Sequence, residues 1–213
     1  HNINVFLKTK INKKILAVKS LNFEQKVLKE LVGSQDQIAC SYGGFNSIQF
    51  LKNGNFKIKN YKNKKKFLDK LNDNLFLIYT GQQRNSQNIV KNFIDDLNKK
   101  KESQIYKIID YVEIAKKYLL DNLHEEFCEM IADSWNIKKS IHKSISNKRL
   151  DDLYDYSINC GAEGGKLLGA GGGGFFLFYV KDGKKKKFLK KMKNNQIISY
   201  NFEKSGSQLI YSN

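Results

Sequence analysis

Apolar and polar positions alternate along the chain in patterns that predict helices and short strands. From Ile105 to about Ser144 the apolar residues keep a helical period, which predicts one or two long helices. Residues 75–79 form a short apolar run of strand length. The pair Asn53-Gly54 stands between two segments of alternating character and predicts a β-hairpin. This mixture predicts an α+β fold whose sheet is covered by helices on one side.

The same patterns place the remaining elements. Helices are predicted as a pair within residues 1–31, and then over residues 86–97, 150–160 and 184–194. Further strands are predicted over residues 175–180, 197–202 and 208–211. The chain is therefore expected to end as β-α-β-β.

One segment interrupts the periodic pattern, because residues 161–174 contain eight of the fifteen glycines and lead directly into the strand at 175–180. Such a cluster indicates positive φ angles, or close approach of another backbone or an anionic ligand. Leu167 and Leu168 within the run argue against a flexible linker. The spacing matches neither a P-loop nor a dinucleotide fingerprint. A phosphate cradle of backbone N–H groups and tight packing of helix on strand both remain open.

The composition limits the class of partner. The 213 residues admit one large domain or two small ones, and they contain no proline. The formal net charge is +17, but the lysine clusters at 64–66, 99–101 and 184–187 are scattered through polar stretches with only two arginines. This distribution indicates a solvated surface rather than a nucleic-acid interface. A positive field of this kind favours a phosphorylated or nucleotide substrate.

Cysteine usage and hydropathy indicate the compartment. The three cysteines are isolated and lack metal-ligand spacing, so the sequence predicts neither a disulfide framework nor a zinc site. The longest apolar stretch is far shorter than the roughly 20 residues of a membrane span, and no signal peptide is visible. We expect a soluble cytoplasmic protein without a membrane partner.

Several polar residues occupy positions suited to chemistry. Asp36 lies in the polar segment 33–37, where a carboxylate serves either as a helix cap or as an acid held for hydroxyl activation. Glu24, on the preceding helix, is either a solvated residue or a Mg²⁺ ligand. Thr80 and Arg84 follow a buried strand, from which loops commonly contact substrate. The planar guanidinium of Arg84 suits a phosphate, although a surface role remains open.

Other side chains receive structural interpretations. Trp135 is predicted to lie in the core, and Lys138 is predicted to be solvated. His124 and His142 lie on predicted helices without matching partners. The sequence therefore predicts neither a histidine-dependent triad nor a histidine metal cluster.

Four segments, in this order, resemble the GHMP small-molecule kinases: Gly33-Ser34-Gln35-Asp36-Gln37, Tyr42-Gly43-Gly44-Phe45-Asn46, Tyr79-Thr80-Gly81 with Arg84, and Gly161 to Gly174. The likeness covers essentially the whole chain and is strongest to the branch that phosphorylates heptose 7-phosphate at its anomeric hydroxyl. It implies an ATP- and Mg²⁺-dependent sugar kinase. In a GHMP-kinase-like fold, residues 1–70 would be the remainder of an N-terminal α/β domain. Residues 71–213 would be a ferredoxin-like C-terminal α+β domain.

The resemblance also implies roles for individual residues. Asp36 falls at the catalytic aspartate of the family, and Glu24 falls at or close to its Mg²⁺-binding glutamate. The residues that would bind the sugar substrate are Gly43, Gly44, Thr80 and Arg84. The glycines that would pack beside the nucleotide phosphates are Gly169, Gly171, Gly172, Gly173 and Gly174.

One departure qualifies this expectation. The proline-containing phosphate loop of the family is absent, and the segment at His1 resembles the stretch that these kinases carry directly after that loop. The chain is therefore expected to be the C-terminal part of such a kinase and to be inactive by itself. Three alternatives stay open: a non-catalytic sugar-phosphate-binding relative, a fucose or galactose kinase, and a basic nucleic-acid-binding domain. Arg84 favours a phosphorylated sugar.

Overall fold

The computed structural model describes residues 11–83 and 102–208, which fall into two compact units. The first unit comprises His1–Asn63 with Phe202–Asn213, and the second comprises Lys64–Asn201. The predicted helix over residues 86–97 lies outside the described residues, as does nearly all of the predicted strand over 208–211. The assignment of residues 1–70 and 71–213 to two kinase domains stays a prediction.

The first unit combines two helices with a hairpin. Its elements are α1 (Lys13–Asn22), a π-helical turn (Phe23–Val27), α2 (Gln35–Tyr42), β1 (Asn46–Phe50) and β2 (Phe56–Asn60). Helix α1 begins where Asn12 accepts a hydrogen bond from the backbone N of Ile15 at 2.9 Å, as an N-cap residue does. The hairpin confirms the predicted turn, since β1 and β2 pair antiparallel with Ile48 opposite Ile58.

The second unit packs helices against a four-stranded sheet. Its elements are α3 (Lys65–Asn74), β3 (Leu75–Tyr79), α4 (Glu102–Asp121), α5 (His124–Ile141), α6 (Lys148–Cys160), β4 (Gly164–Leu167), β5 (Phe175–Tyr179), a 3₁₀ turn (Asp182–Lys184), α7 (Lys185–Lys191) and β6 (Ile197–Ile198). The strand order is β4-β5-β3-β6, and every pair is antiparallel. Trp135 is fully buried and meets Phe176 edge-on, which confirms its predicted place in the core.

Strand β4 corrects the interpretation of the glycine run, which was expected to connect a helix directly to a strand. Residues Gly164–Leu167 instead form a hairpin partner of β5. A Cβ on Gly164 would lie 2.6 Å from the Cβ of Ala132 on α5, and one on Gly165 would lie 2.5 Å from the ring of Phe178. The absence of a side chain at Gly164 therefore lets helix α5 pack closely on β4, and its absence at Gly165 leaves room for the ring of Phe178 on β5. The loop proper is confined to residues 168–174.

The C-terminal end also differs from the prediction. The strand expected over 197–202 is limited to Ile197–Ile198, which pairs with Leu77 and Ile78 of β3. Residues 201–208 have no regular secondary structure. The Glu203 side chain accepts hydrogen bonds from the backbone N–H groups of Ser205 and Gly206. Ser207 N donates to Cys40 O at 2.8 Å, and these bonds take the place of a strand ladder.

Candidate active site

Asp36 is exposed in the first turn of α2. Ser34 is the residue at the N-cap position, so Asp36 is not the helix cap that one interpretation of the sequence suggested. Within residues 11–83 and 102–208, its carboxylate takes part in no hydrogen bond or ion pair. Asp36 therefore presents a charged group that a ligand can reach.

Glu24 lies near Asp36 in the fold because a hydrogen bond connects the elements that carry them. The Gln37 amide Nε2 donates to Glu24 Oε2. Gln37 directly follows Asp36 on α2, and its side chain is only 8% exposed. The hydrogen bond thus joins Glu24 to the residue next to Asp36, within the first unit.

The π-helical turn determines where Glu24 lies. Its wider spacing appears in the bond from Leu28 N to Phe23 O, which is 2.9 Å long and joins residues five apart. The neighbouring Gln25 fastens this turn to the start of α2, because its Nε2 donates to Ser34 Oγ at 3.3 Å. Single π turns are rare and are frequent at functional sites. The helical period alone carried no sign of this turn.

The donor atoms around Glu24 determine which metal ion this part of the first unit can hold. No group of three or more His, Cys, Asp or Glu side chains that could hold a metal occurs among the described residues. Mg²⁺ needs few protein ligands, because it keeps several waters and binds one or two carboxylates together with substrate phosphates. Glu24 is such a carboxylate, and the buried Gln37 Oε1 beside it has no hydrogen-bond partner in the described residues. These donors fit Mg²⁺ and do not fit a structural zinc site.

Gly43 and Gly44 lie where two backbone segments of the first unit meet. Gly43 ends α2 with φ at 65°, and an ideally placed Cβ there would overlap the backbone N of Gly206. Gly44 N donates to Glu203 O at 2.7 Å. Close backbone approach accounts for the glycine at 43. Substrate binding by this pair stays a prediction.

The glycine loop of the second unit is bonded to two neighbouring segments. Gly172 N donates to Ile145 O at 2.8 Å, and Gly174 N donates to Gln82 O at 3.0 Å. A Cβ on Gly171, where φ is 119°, would lie 2.8 Å from the Cα of Ile145. The N–H groups of Gly172 and Gly174 therefore hold the loop against the neighbouring segments and are not free to bind a ligand. Gly173 is buried in this loop, so the predicted place of its N–H group beside a phosphate stays a prediction.

Thr80 is buried and contacts the glycine loop. Its backbone N and its Oγ1 both donate to Gly174 O at 2.9 Å. Its predicted contact with substrate stays a prediction, and Arg84 lies outside the described residues. In this structure Thr80 holds the end of the loop at which β5 begins.

We expect Thr80→Val to weaken the second unit by about 1–2 kcal/mol, because the variant keeps the side-chain shape but loses two hydrogen bonds of the hydroxyl. Thr80 Oγ1 donates to Gly174 O at 2.9 Å and accepts from Gln82 N at 3.3 Å. Thr80→Ser keeps the hydroxyl and serves as the matched control. Denaturant unfolding gives the stability, and hydrogen exchange over residues 168–175 shows whether the loop opens. Equal protection of the loop in both variants would contradict a role for the hydroxyl.

Three residues that sequence reasoning did not select also contact this region. Lys138 was predicted to be solvated, but it is half-buried and its Nζ donates to Gly169 O. Asn147 Nδ2 donates to Gln82 Oε1 at 3.2 Å, and Asn147 Oδ1 caps α6. The cap has a sequence signal, since Asn is a preferred N-cap residue. The contacts of Lys138 and Gln82 join distant segments of the chain, so no local sequence signal predicts them.

A groove of about 530 Å³ lies beside the glycine loop in the second unit, lined by Tyr79, Gln82, Gln83, Gly174, Phe175 and Gln196. The ring centroids of Tyr79 and Phe175, which form one side of the groove, are 5.1 Å apart. Aromatic faces with a few convergent amides suit a polar organic ligand. Local sequence patterns predicted the two strands that carry these rings and did not predict the groove.

Burial changes the acidity of two groups near the sheet. It lowers the pKa of Lys166, which lies on β4 directly ahead of the glycine loop. Burial, with smaller contributions from Glu125 and Glu129, raises the pKa of the Cys128 thiol to about 12. A thiol with so high a pKa is a poor nucleophile at neutral pH. Burial therefore keeps Cys128 in its thiol form at neutral pH.

Comparison with known proteins agrees with this architecture. Residues 115–197 match the family model described as GHMP kinases C terminal. The chain is 28% identical over 196 residues to the D-glycero-alpha-D-manno-heptose 7-phosphate kinase of Campylobacter jejuni. That alignment covers 90% of this chain and 57% of the relative. The chain thus spans somewhat more than half the length of this kinase.

Solved structures show the same fold. A D-glycero-D-manno-heptose 1-phosphate kinase from Bacteroides thetaiotaomicron superposes with a TM-score of 0.68 at 23% identity, over 99% of this chain and 60% of that one. A Lactococcus lactis galactokinase complexed with galactose gives 0.68 at 14% identity, over 96% of this chain and 62% of that one. At such identities the likeness establishes the fold alone. It confirms the predicted GHMP-kinase-like α+β architecture.

Proposed function

We propose that the protein, whose residues 115–197 are a GHMP kinase C-terminal domain, takes part in ATP-dependent phosphorylation of a sugar phosphate, with the anomeric hydroxyl of heptose 7-phosphate as acceptor. The observation that carries this proposal is the hydrogen bond from Gln37 Nε2 to Glu24 Oε2, which joins Glu24 to the residue that follows the exposed Asp36 on α2. The likeness to the Campylobacter jejuni heptose kinase, which extends over 90% of the chain at 28% identity, supports the choice of substrate.

In this proposal Asp36 acts as the general base. Its carboxylate accepts the proton of the sugar hydroxyl as that oxygen forms a bond to the γ-phosphorus of ATP. The bond between the γ-phosphorus and the bridging oxygen breaks, and ADP leaves with the electron pair. Because Asp36 is exposed and unpaired within the described residues, a bound hydroxyl can reach it.

Glu24 and the glycine loop have supporting roles in the proposal. Glu24 would hold Mg²⁺, which neutralises charge on the phosphates when bound. In the second unit, Gly172 and Gly174 donate hydrogen bonds that hold the glycine loop in shape, and a place for this loop beside the nucleotide phosphates stays a prediction. The positive net charge of +17 attracts anionic substrates.

The proposal names small molecules as partners, namely ATP and a sugar phosphate, and places the reaction in the cytoplasm. It assigns no role to nucleic acid or to a membrane. Of the helices formed by residues 11–83 and 102–208, none combines the length and apolar character that crossing a bilayer requires.

The test is a kinase assay with the complete gene product that carries this chain. We expect ADP formation to depend on heptose 7-phosphate and Mg²⁺, and ³¹P NMR to show a new phosphate at the anomeric carbon. Unphosphorylated heptose, galactose and fucose serve as matched acceptors and should react much more slowly. Faster turnover of galactose or fucose would reassign the substrate. Sugar-phosphate binding without turnover would identify a non-catalytic relative.

A further inference from the structure

The amide of Gln37 has a fixed orientation in the interior of the first unit. Its side chain is 8% exposed, and its Nε2 donates to Glu24 Oε2. Only the NH₂ end of an amide can donate to a carboxylate, so this bond determines which end faces Glu24. The oxygen Oε1 is bonded to the same carbon as Nε2 and therefore lies on the side of the amide that faces away from the bonded Glu24 oxygen.

That oxygen is an unexplained acceptor. Gln37 Oε1 is buried and has no hydrogen-bond partner among the described residues. Buried polar atoms in native proteins are nearly always bonded to protein groups or to ordered water, because an unpaired one destabilises the fold. The exceptions are frequently explained by an ion or water that belongs to a functional site.

We infer that Gln37 is a positioning residue for the Mg²⁺ site: its Nε2 orients the Glu24 carboxylate, and its Oε1 accepts a hydrogen bond from water of the ion's hydration shell. The inference rests on the proposed function. Mg²⁺ keeps several waters when bound to protein, and those waters need acceptors. Residues that hydrogen-bond a metal-ligating carboxylate fix its orientation and tune the affinity of the site.

The same bond connects the metal ligand to the catalytic base. Gln37 and Asp36 are neighbours on α2, whereas Glu24 lies on the π-helical turn. Ser41 Oγ donates to the backbone oxygen of Gln37 at 2.7 Å, so this bond within α2 does not involve the Gln37 amide. A change in the amide is therefore expected to alter the position of Glu24 and to leave this bond of the helix that carries Asp36 intact.

The experiment measures Mn²⁺ binding by electron paramagnetic resonance, in the presence of ADP, with the complete gene product. We expect Gln37→Met to weaken Mn²⁺ binding about tenfold. Gln49→Met replaces an exposed glutamine on β1 of the same unit and should leave the affinity unchanged. The unfolding midpoint of Gln37→Met should stay close to that of the parent, since the variant also removes a buried unpaired oxygen.

A double-mutant comparison separates positioning from a general effect on the fold. Glu24→Gln should weaken Mn²⁺ binding, and adding Gln37→Met to that variant should have no further effect. Gln37→Asn keeps the amide but is too short to reach Glu24, so it should weaken binding as well and replaces Gln37→Met if that protein does not fold. The three results together support the inference.

Two outcomes overturn it. If both Gln37 variants keep the parental Mn²⁺ affinity while Glu24→Gln binds more weakly, Gln37 does not position the metal site, although Glu24 still binds the ion. If Glu24→Gln keeps the parental Mn²⁺ affinity, Glu24 is not a metal ligand and the proposed site does not exist. The first outcome leaves the proposed function unchanged, and the second removes only the role of Glu24 from it, because turnover of heptose 7-phosphate is measured separately in the parent protein. Failure of this inference is therefore distinguishable from failure of the proposed function.

Discussion

Replacing Asp36 by Asn in the complete gene product is expected to lower kcat about 10³-fold, with little change in the KM for ATP or for the sugar phosphate. The amide has nearly the same shape as the carboxylate but cannot accept a proton, and general-base catalysis contributes rate factors of this order. An interaction made only in the transition state affects kcat much more than KM. Steady-state kinetics with heptose 7-phosphate measure both constants.

The matched control is Asp110→Asn, which makes the same change at an exposed position on α4, outside the proposed machinery. Its kcat should equal that of the parent. Retention of near-parental kcat by the Asp36 variant would show that another group takes the proton. A raised KM with unchanged kcat would instead assign Asp36 to substrate binding.

Local patterns were sufficient for the parts of the fold that depend on local interactions. The Asn53-Gly54 turn predicts its hairpin because the turn chemistry determines the strand pairing. Helices α4 and α5 follow from a sustained apolar period over one segment. Strand β4 was missed because its glycines carry no strand signal. It forms through pairing with β5 and close packing against Ala132.

In the candidate site, too, some features follow from the sequence and others depend on contacts between distant segments. Resemblance selected Asp36 and Glu24 by residue type and order along the chain. The bond that brings their elements together depends on a π-helical turn and on the buried amide of Gln37, and neither has a sequence signature. Lys138 and Ile145 contact the glycine loop from distant segments, so only the tertiary structure reveals them. The sequence predicts which groups carry the chemistry better than which groups position them.

Gly43→Ala is expected to destabilise the first unit by about 3 kcal/mol, which combines left-handed backbone strain with overpacking. At Gly43 the φ angle is 65°, and a Cβ would overlap the N of Gly206 and lie 2.5 Å from the carbonyl carbon of Ser205. Both atoms belong to the backbone, so no side chain can move aside. Hydrogen exchange at Gly44 N and Ser207 N, whose bonds join these segments, reports the local free energy of opening.

Gly54→Ala separates the two contributions. Gly54 has a similar φ of 79°, but nothing lies within 4 Å of the position of its Cβ, so alanine there should cost only the backbone strain of about 1 kcal/mol. Equal losses at the two positions would show that residues 205–206 yield without cost. A larger loss at Gly43 establishes that this glycine is required for backbone packing. Any substrate role must then be demonstrated by a change in KM beyond what the loss of stability explains.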